Sequence, residues 1–369
     1  MIKVMQLIHG MYLGGAENVV ANIVRQVDRS RFDVQICCLK EKGVLGEKLE
    51  SEGARVILPE KASGRLGKLR ALKRLIATEQ PDLLHSHGTT ALLNVGPACL
   101  TGTRVPLIHT YHFGNYPHIP KSYLWSERVF SRLACRCVAV SESQKASVVE
   151  HLYIREDKVD VVFNGVPENA CRGDEASRAQ ARSELGYGEN NIVVGCIAVL
   201  SQQKGVNYLL ESARELLERD PRLRFVIVGG GRLEQELREQ CNQYGLDGKV
   251  QFTGWRSDAL RLLGALDIFI LPSLWEGLPM VLLEAMATEL PIVVTDVADN
   301  RNIIENGVSG LVIPPKDPAA ISKALRRMAG DMMTAREMGR AAYERYRARY
   351  SDAVMVEQYQ SLYEAGINR

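Results

Sequence analysis

The sequence has no apolar run near membrane-spanning length, no Cys-x-x-Cys pair and no strong excess of either charge. Each absence removes a class of protein. A formal net charge of +2, from 46 Lys+Arg against 44 Asp+Glu, is too mild for a nucleic-acid binder. The eight cysteines, at 37, 38, 99, 135, 137, 171, 196 and 241, share no metal-ligand spacing, so buried reduced thiols are expected rather than disulfides or a zinc site. No histidine follows position 151, which confines imidazole chemistry to the first half. The loop after the first apolar run lacks Gly-x-Gly-x-x-Gly, which argues against a nicotinamide-dinucleotide enzyme. Residues 1–8 read as a strand rather than as the longer apolar segment of a secretion signal, and the cytoplasm is the expected compartment.

With 369 residues, 46% of them hydrophobic, the chain is long enough for two domains of ordinary size. Short apolar runs alternate with helical spacing throughout. Residues 2–8, 33–39, 55–58, 82–85, 106–110, 136–140 and 159–163 are expected strands of the first half. Those of the second are 192–199, 223–228, 250–253, 266–271, 291–295 and 311–313. The alternation predicts an α/β protein: two Rossmann-like domains, each a parallel sheet covered by helices, facing each other across a cleft. The first is expected over 1–167 and the second over 191–350, with a polar linker and short helix at 168–190 between them.

The most informative stretch is Leu271-Pro-Ser-Leu-Trp-Glu276-Gly-Leu-Pro-Met-Val-Leu-Leu-Glu284. It runs from a buried strand into a helix, with Pro279 suited to the first helical position. Free amides around Gly277 to Val281, those of Gly277, Leu278 and Met280 flanking Pro279, would then favour an anion. Glu284, one turn into the helix, could accept two hydrogen bonds from a vicinal diol, while Glu276 faces whatever the anion carries. A phosphate, a ribose and a sugar in that order describe a nucleotide-sugar. Two glutamates eight residues apart also occur on solvated helices; the Gly-x-Pro turn directly after a buried strand favours a site.

Glu276-x7-Glu284 within Ser-Leu-Trp-Glu-Gly-Leu-Pro-Met-Val-Leu-Leu-Glu-Ala-Met-Ala resembles the signature of the retaining GT-B glycosyltransferases of family 4, the group 1 glycosyl transferases. The resemblance extends over almost the whole chain. It implies the GT-B architecture, with a last helix, residues 351–369, crossing back to the first domain. It also implies metal-independent transfer of a hexose-type sugar from a nucleoside diphosphate, most often UDP, to a hydroxyl acceptor, with no cofactor. Such acceptors are carbohydrates or lipid-linked sugars of polysaccharide, glycolipid or other glycoconjugate biosynthesis.

Other residues take roles from the same resemblance. The loop Gly10-Met-Tyr-Leu-Gly14-Gly15-Ala-Glu17 would place Gly14 and Gly15 between donor phosphate and acceptor, with Glu17 on the acceptor side. His87, in His85-Ser-His87, would touch the donor sugar, and His112 would belong to the acceptor side. Ala198-Val199-Leu-Ser-Gln-Gln-Lys204-Gly205 supplies Lys204 for the diphosphate, but carries Val199 where the family usually has arginine. Gly231, in Val228-Gly-Gly-Gly231-Arg232, would approach the nucleotide, and Trp255 would flank the base. His87, Lys204 and Glu276 are the expected catalytic groups. Two further readings stay open: a non-catalytic nucleotide-sugar-binding partner of a glycan-assembly complex, encouraged by Val199, and a GT-B-related sugar-nucleotide epimerase.

Residues 64–77 place Leu66, Leu69, Leu72 and Leu75 on one helical stripe, with Arg65, Lys68, Arg70, Lys73 and Arg74 around it and no acid among them. Most such helices dock the stripe on a sheet and solvate the charges. The sharper expectation is a peripheral contact with anionic lipid, on the inner face of the membrane.

Overall fold

The computed structural model describes residues 1–12, 14–112, 120–168 and 174–367. The chain divides into two units: Met1–Gly165 with Asp352–Arg369, and Val166–Ser351. Each is a parallel sheet covered by helices.

The first sheet consists of β1 (Ile2–Gly10), β2 (Phe32–Glu41), β3 (Arg55–Ile57), β4 (Leu83–His87), β5 (Leu107–Tyr111), β6 (Arg136–Ala139) and β7 (Val159–Val161). Their order is β3-β2-β1-β4-β5-β6-β7. The second consists of β8 (Ile192–Ile197), β9 (Leu223–Val228), β10 (Val250–Gly254), β11 (Ile268–Leu271), β12 (Ile292–Thr295) and β13 (Leu311–Ile313), ordered β10-β9-β8-β11-β12-β13. Every pairing is parallel. Each sheet reverses its winding once, between β1 and β4 and between β8 and β11. Ligands of doubly wound sheets bind outside the carboxyl ends of the strands at such a reversal.

Strand alternation divides the first unit's core. Met5 and Leu7 face a cluster with Leu72, Ile76, Leu92 and Val95. Val4 faces the opposite side, where Val19 and Ile23 meet Met355, Tyr359 and Tyr363 of the helix Asp352–Ile367. In the second unit, β8 and β9 bury Val194, Cys196, Phe225 and Ile227 against Leu209, Leu210 and Leu325.

Residues 174–190, in the stretch expected to hold a linker and a short helix, group with the second unit. Helix Glu175–Glu184 is pinned there because Arg178 and Arg182 donate to the Asp267 carboxylate at 2.6 and 2.9 Å, and Asp267 also accepts from the Val193 amide at 2.8 Å. Cys37, Cys38, Cys99, Cys137, Cys196 and Cys241 are free thiols, and Cys171 lies outside the described residues. Among the described residues no helix is long and apolar enough to cross a membrane.

Candidate functional site

The loop leaving β11 and the loop leaving β8 meet at the reversal point of the second sheet. Leu274 N–H donates to the Gln203 carbonyl at 2.7 Å, and Thr295 Oγ1 donates to the Ser273 carbonyl at 2.6 Å, fixing both ends of the first loop. Gly205 stands at φ +60 beside the Pro272 carbonyl, a backbone approach that a side chain would obstruct. Lys204 thereby delivers its ammonium to Glu276: Nζ lies 2.6 Å from Oε1, with side-chain exposures of 16% and 5%. Ser273 Oγ donates to the same oxygen at 2.6 Å. Among the described residues Glu276 Oε2 has only the long Gln203 contact, 3.4 Å. One carboxylate oxygen is thus saturated and the other has accepting capacity left.

Helix Met280–Ala287 follows directly, and among the described residues the Met280 and Val281 N–H groups at its start have no backbone partner. Pro279 is the N-cap residue, extended at φ −73 and ψ 110, rather than the first helical residue expected from the sequence. The helix starts one position later because Pro279 keeps an extended ψ while its carbonyl accepts from Leu282 N–H. Gly277 has open space where a side chain would stand, and Leu278 leads into the turn. Glu284 lies one turn in, between the buried Leu283 and Ala285. Burial pushes its carboxyl up to about 7.

Two more expected residues join this edge. A Cβ on Gly231 would stand 2.8 Å from the Leu200 nitrogen, and one on Gly230 would meet the Trp255 indole at 2.6 Å. Trp255 is therefore laid over the glycine turn, yet 70% exposed. Val199, beyond β8, is half-exposed and brings no charge.

Gly14, Gly15, Glu17, His87 and His112 belong to the first unit. Gly14 caps the helix Gly15–Gln26, and the Glu17 carboxyl folds back over it, Cδ 3.3 Å from where a Cβ would be. His87 is the last residue of β4, and both its ring nitrogens are engaged: Nε2 with Gln6 Oε1 at 2.7 Å and Nδ1 with His112 Nε2 at 3.0 Å. Gln6 Nε2 in turn donates to Tyr363 Oη at 2.8 Å, and that hydroxyl lies 2.9 Å from His85 Nδ1. Burial holds His85 and His87 well below the usual imidazole range and His112 at about 4, so the network is neutral. With its nitrogens taken, His87 meets a ligand only by exchanging one of these bonds. Residues 113–119, which follow His112, lie outside the described residues.

Sequence reasoning missed Ser273, Gln203, Gln6 and Tyr363. Gln6 alone carried a signal: a polar residue between Val4 and Ile8 on a strand face that is otherwise apolar. Among the described residues no three His, Cys, Asp or Glu gather as a metal site.

Two family models cover most of the chain. Glycosyltransferase Family 4 matches residues 13–169, and Glycosyl transferases group 1 matches 177–345. A UDP-Gal:alpha-D-GlcNAc-diphosphoundecaprenol alpha-1,3-galactosyltransferase of Escherichia coli is 28% identical over 86% of this chain and 86% of its own. Two solved structures share the fold. Anabaena HepE in complex with UDP-glucose superposes at TM-score 0.85, with 21% identity over 99% of this chain and 100% of its own. A Rickettsia africae glycosyltransferase superposes at TM-score 0.88, with 19% identity over 99% of this chain and 98% of its own. The two parallel sheets, each reversing its winding once, and the two matched models together make the chain a member of the group 1, family 4 glycosyltransferases of the GT-B fold.

Proposed function

We propose that this glycosyltransferase moves a hexose-type sugar from a UDP-sugar to a hydroxyl acceptor, with retention of configuration and without a metal ion. The observation that carries the reading is the Lys204–Glu276–Ser273 cluster beside the start of helix Met280–Ala287. The helix amides and Lys204 would hold the diphosphate. Glu276 Oε2 would accept from a sugar hydroxyl while Oε1 stays with Lys204 and Ser273. Glu284, ionised on contact, would take the ribose diol, and Trp255 would lie against the base. Lys204 changes partner in part as phosphate charge arrives, which ties sugar orientation to diphosphate binding.

In the transfer step the bond from the anomeric carbon to the leaving phosphate oxygen breaks. A bond to the acceptor oxygen forms on the same face, and the acceptor proton passes to the departing phosphate. Lys204 and the helix amides stabilise the charge that develops there. His112, more open than His87, and Glu17 would receive the acceptor; His87 orients through His112. The identity of the E. coli relative and the UDP-glucose complex of HepE support a UDP-sugar donor and a lipid-linked or carbohydrate acceptor.

The test is incubation with a panel of UDP-sugars and sugar acceptors, with and without EDTA, and NMR of the product's anomeric proton. An α-linked product from an α-donor, formed equally in EDTA, supports the reading. A β-linked product, or a need for metal, overturns that part of it. Donor binding without transfer would favour the non-catalytic partner, the reading Val199 encourages, and isomerised UDP-sugar without acceptor would favour an epimerase.

A further inference from the structure

Helices Gly64–Glu79, Gly88–Leu100 and Lys121–Phe130 lie side by side on one face of the first sheet. Between them is a groove of about 640 Å³. Its walls include Leu66, Leu69, Pro97, Tyr123, Trp125 and Phe130. The leucine stripe buries only its later part: Leu72 and Ile76 enter the core, whereas Leu66 is 69% exposed. Trp125 is 64% and Tyr123 46% exposed, so the groove opens into an apolar, aromatic patch. Patches of this kind mark interaction surfaces.

The rim is cationic. Arg65 and Lys68 line the groove, and Arg70 lies exposed on the same helix. Arg74 reaches Glu60 at 3.6 Å and Lys73 donates to the Thr101 carbonyl, but among the described residues Arg65, Lys68 and Arg70 meet no carboxylate. A two-fold contact between copies would bring these unpaired cations toward their own counterparts. An anionic occupant neutralises them. Tryptophan and tyrosine side chains favour the boundary between headgroups and hydrocarbon, and Lys and Arg draw anionic headgroups to the same depth.

We propose that this face of the first unit docks on an anionic lipid bilayer, with Leu66, Tyr123 and Trp125 entering the interface and Arg65, Lys68 and Arg70 meeting the headgroups. Helix Gly64–Glu79 begins at the carboxyl edge of the sheet, the edge on which His87 and His112 lie. An acceptor carried by a lipid in that bilayer then reaches the first unit from the docked side.

Flotation of the full chain with phosphatidylcholine vesicles, with and without phosphatidylglycerol, tests the proposal. Binding is expected with the anionic vesicles alone and falls as salt is raised. Each charge removed among Arg65→Gln, Lys68→Gln and Arg70→Gln weakens binding about fivefold. Trp125→Ala weakens what persists at higher salt, and thermal unfolding stays that of the wild type because all four side chains are exposed. Equal binding to both vesicle types, no binding, or wild-type behaviour of the triple variant overturns it. So does self-association by light scattering that Trp125→Ala abolishes, which would make the groove an interface between copies. Flotation involves no sugar transfer, so a negative result leaves the donor reading standing.

Discussion

Replacing Glu284 by glutamine should stabilise the free protein at alkaline pH while weakening its hold on the donor. The carboxyl is pushed to about 7 in the folded chain, against 4.5 for the free group. Between those values the unfolded chain has released its proton and the folded chain keeps it, so stability through this group is full below pH 4.5 and falls as pH rises toward 7. The loss is about 3 kcal/mol once both states are ionised. Glutamine does not titrate. Glu284→Gln should therefore match the wild type near pH 4.5 and exceed it progressively above, by up to about 3 kcal/mol at pH 8. For a unit of this size that is roughly 2–4 °C of Tm per kcal/mol. Calorimetric unfolding without ligand, as a function of pH, reads this directly. Binding should move the other way, because a charged acceptor holding two hydroxyls is worth about 1.5–3 kcal/mol more per hydrogen bond than none. Parallel Tm curves for variant and wild type across this range would refute the argument: Glu284 would then be ionised and hydrated already, with no energy held in reserve for the ribose.

Lys204→Ala leaves the Glu276 carboxylate, 5% exposed, without its cation. A loss of about 3 kcal/mol is expected in urea unfolding, with most of it recovered in the Lys204→Ala/Glu276→Gln double variant. Tyr363→Phe removes the hydroxyl shared by Gln6 and His85 and should cost about 2 kcal/mol, with the His85 and His87 ring signals shifted in NMR spectra. Trp255→Ala should leave stability within about 0.5 kcal/mol, since the ring is largely exposed. Its UDP affinity should fall about tenfold if the indole stacks on the base. Gly96→Ala would place a methyl group 2.8 Å from Phe130 Cβ and should cost about 1–3 kcal/mol, read by thermal unfolding.

The thirteen strands of the described residues could all be read from the sequence because parallel strands buried on both faces leave short β-rich runs, such as Leu223–Val228, bounded by helical spacing. Their ends were less legible. β4 runs on to His87, two residues past the expected end at His85, since a strand carrying histidines to its carboxyl end looks like a strand followed by a polar loop. The glutamates of the donor stretch stood out because local geometry, strand to turn to helix, gives them their setting. The Lys204–Glu276 bond did not, for it joins residues 72 positions apart and depends on the adjacency of β8 and β11. The Gln6–Tyr363 bond spans 357 positions, and no local pattern reports it. The titration of Glu284 is likewise a property of burial in the finished fold, which periodicity does not measure.

The most direct test of the donor site is calorimetric titration of UDP-, GDP- and ADP-sugars into the wild type, Lys204→Ala and Glu284→Ala. The account predicts one preferred UDP-sugar, bound by the wild type and lost in both variants, with uptake by the wild type releasing a proton near pH 6 as Glu284 ionises. Undiminished binding in both variants would contradict it, because the nucleotide-sugar would then be held by residues other than Lys204 and Glu284.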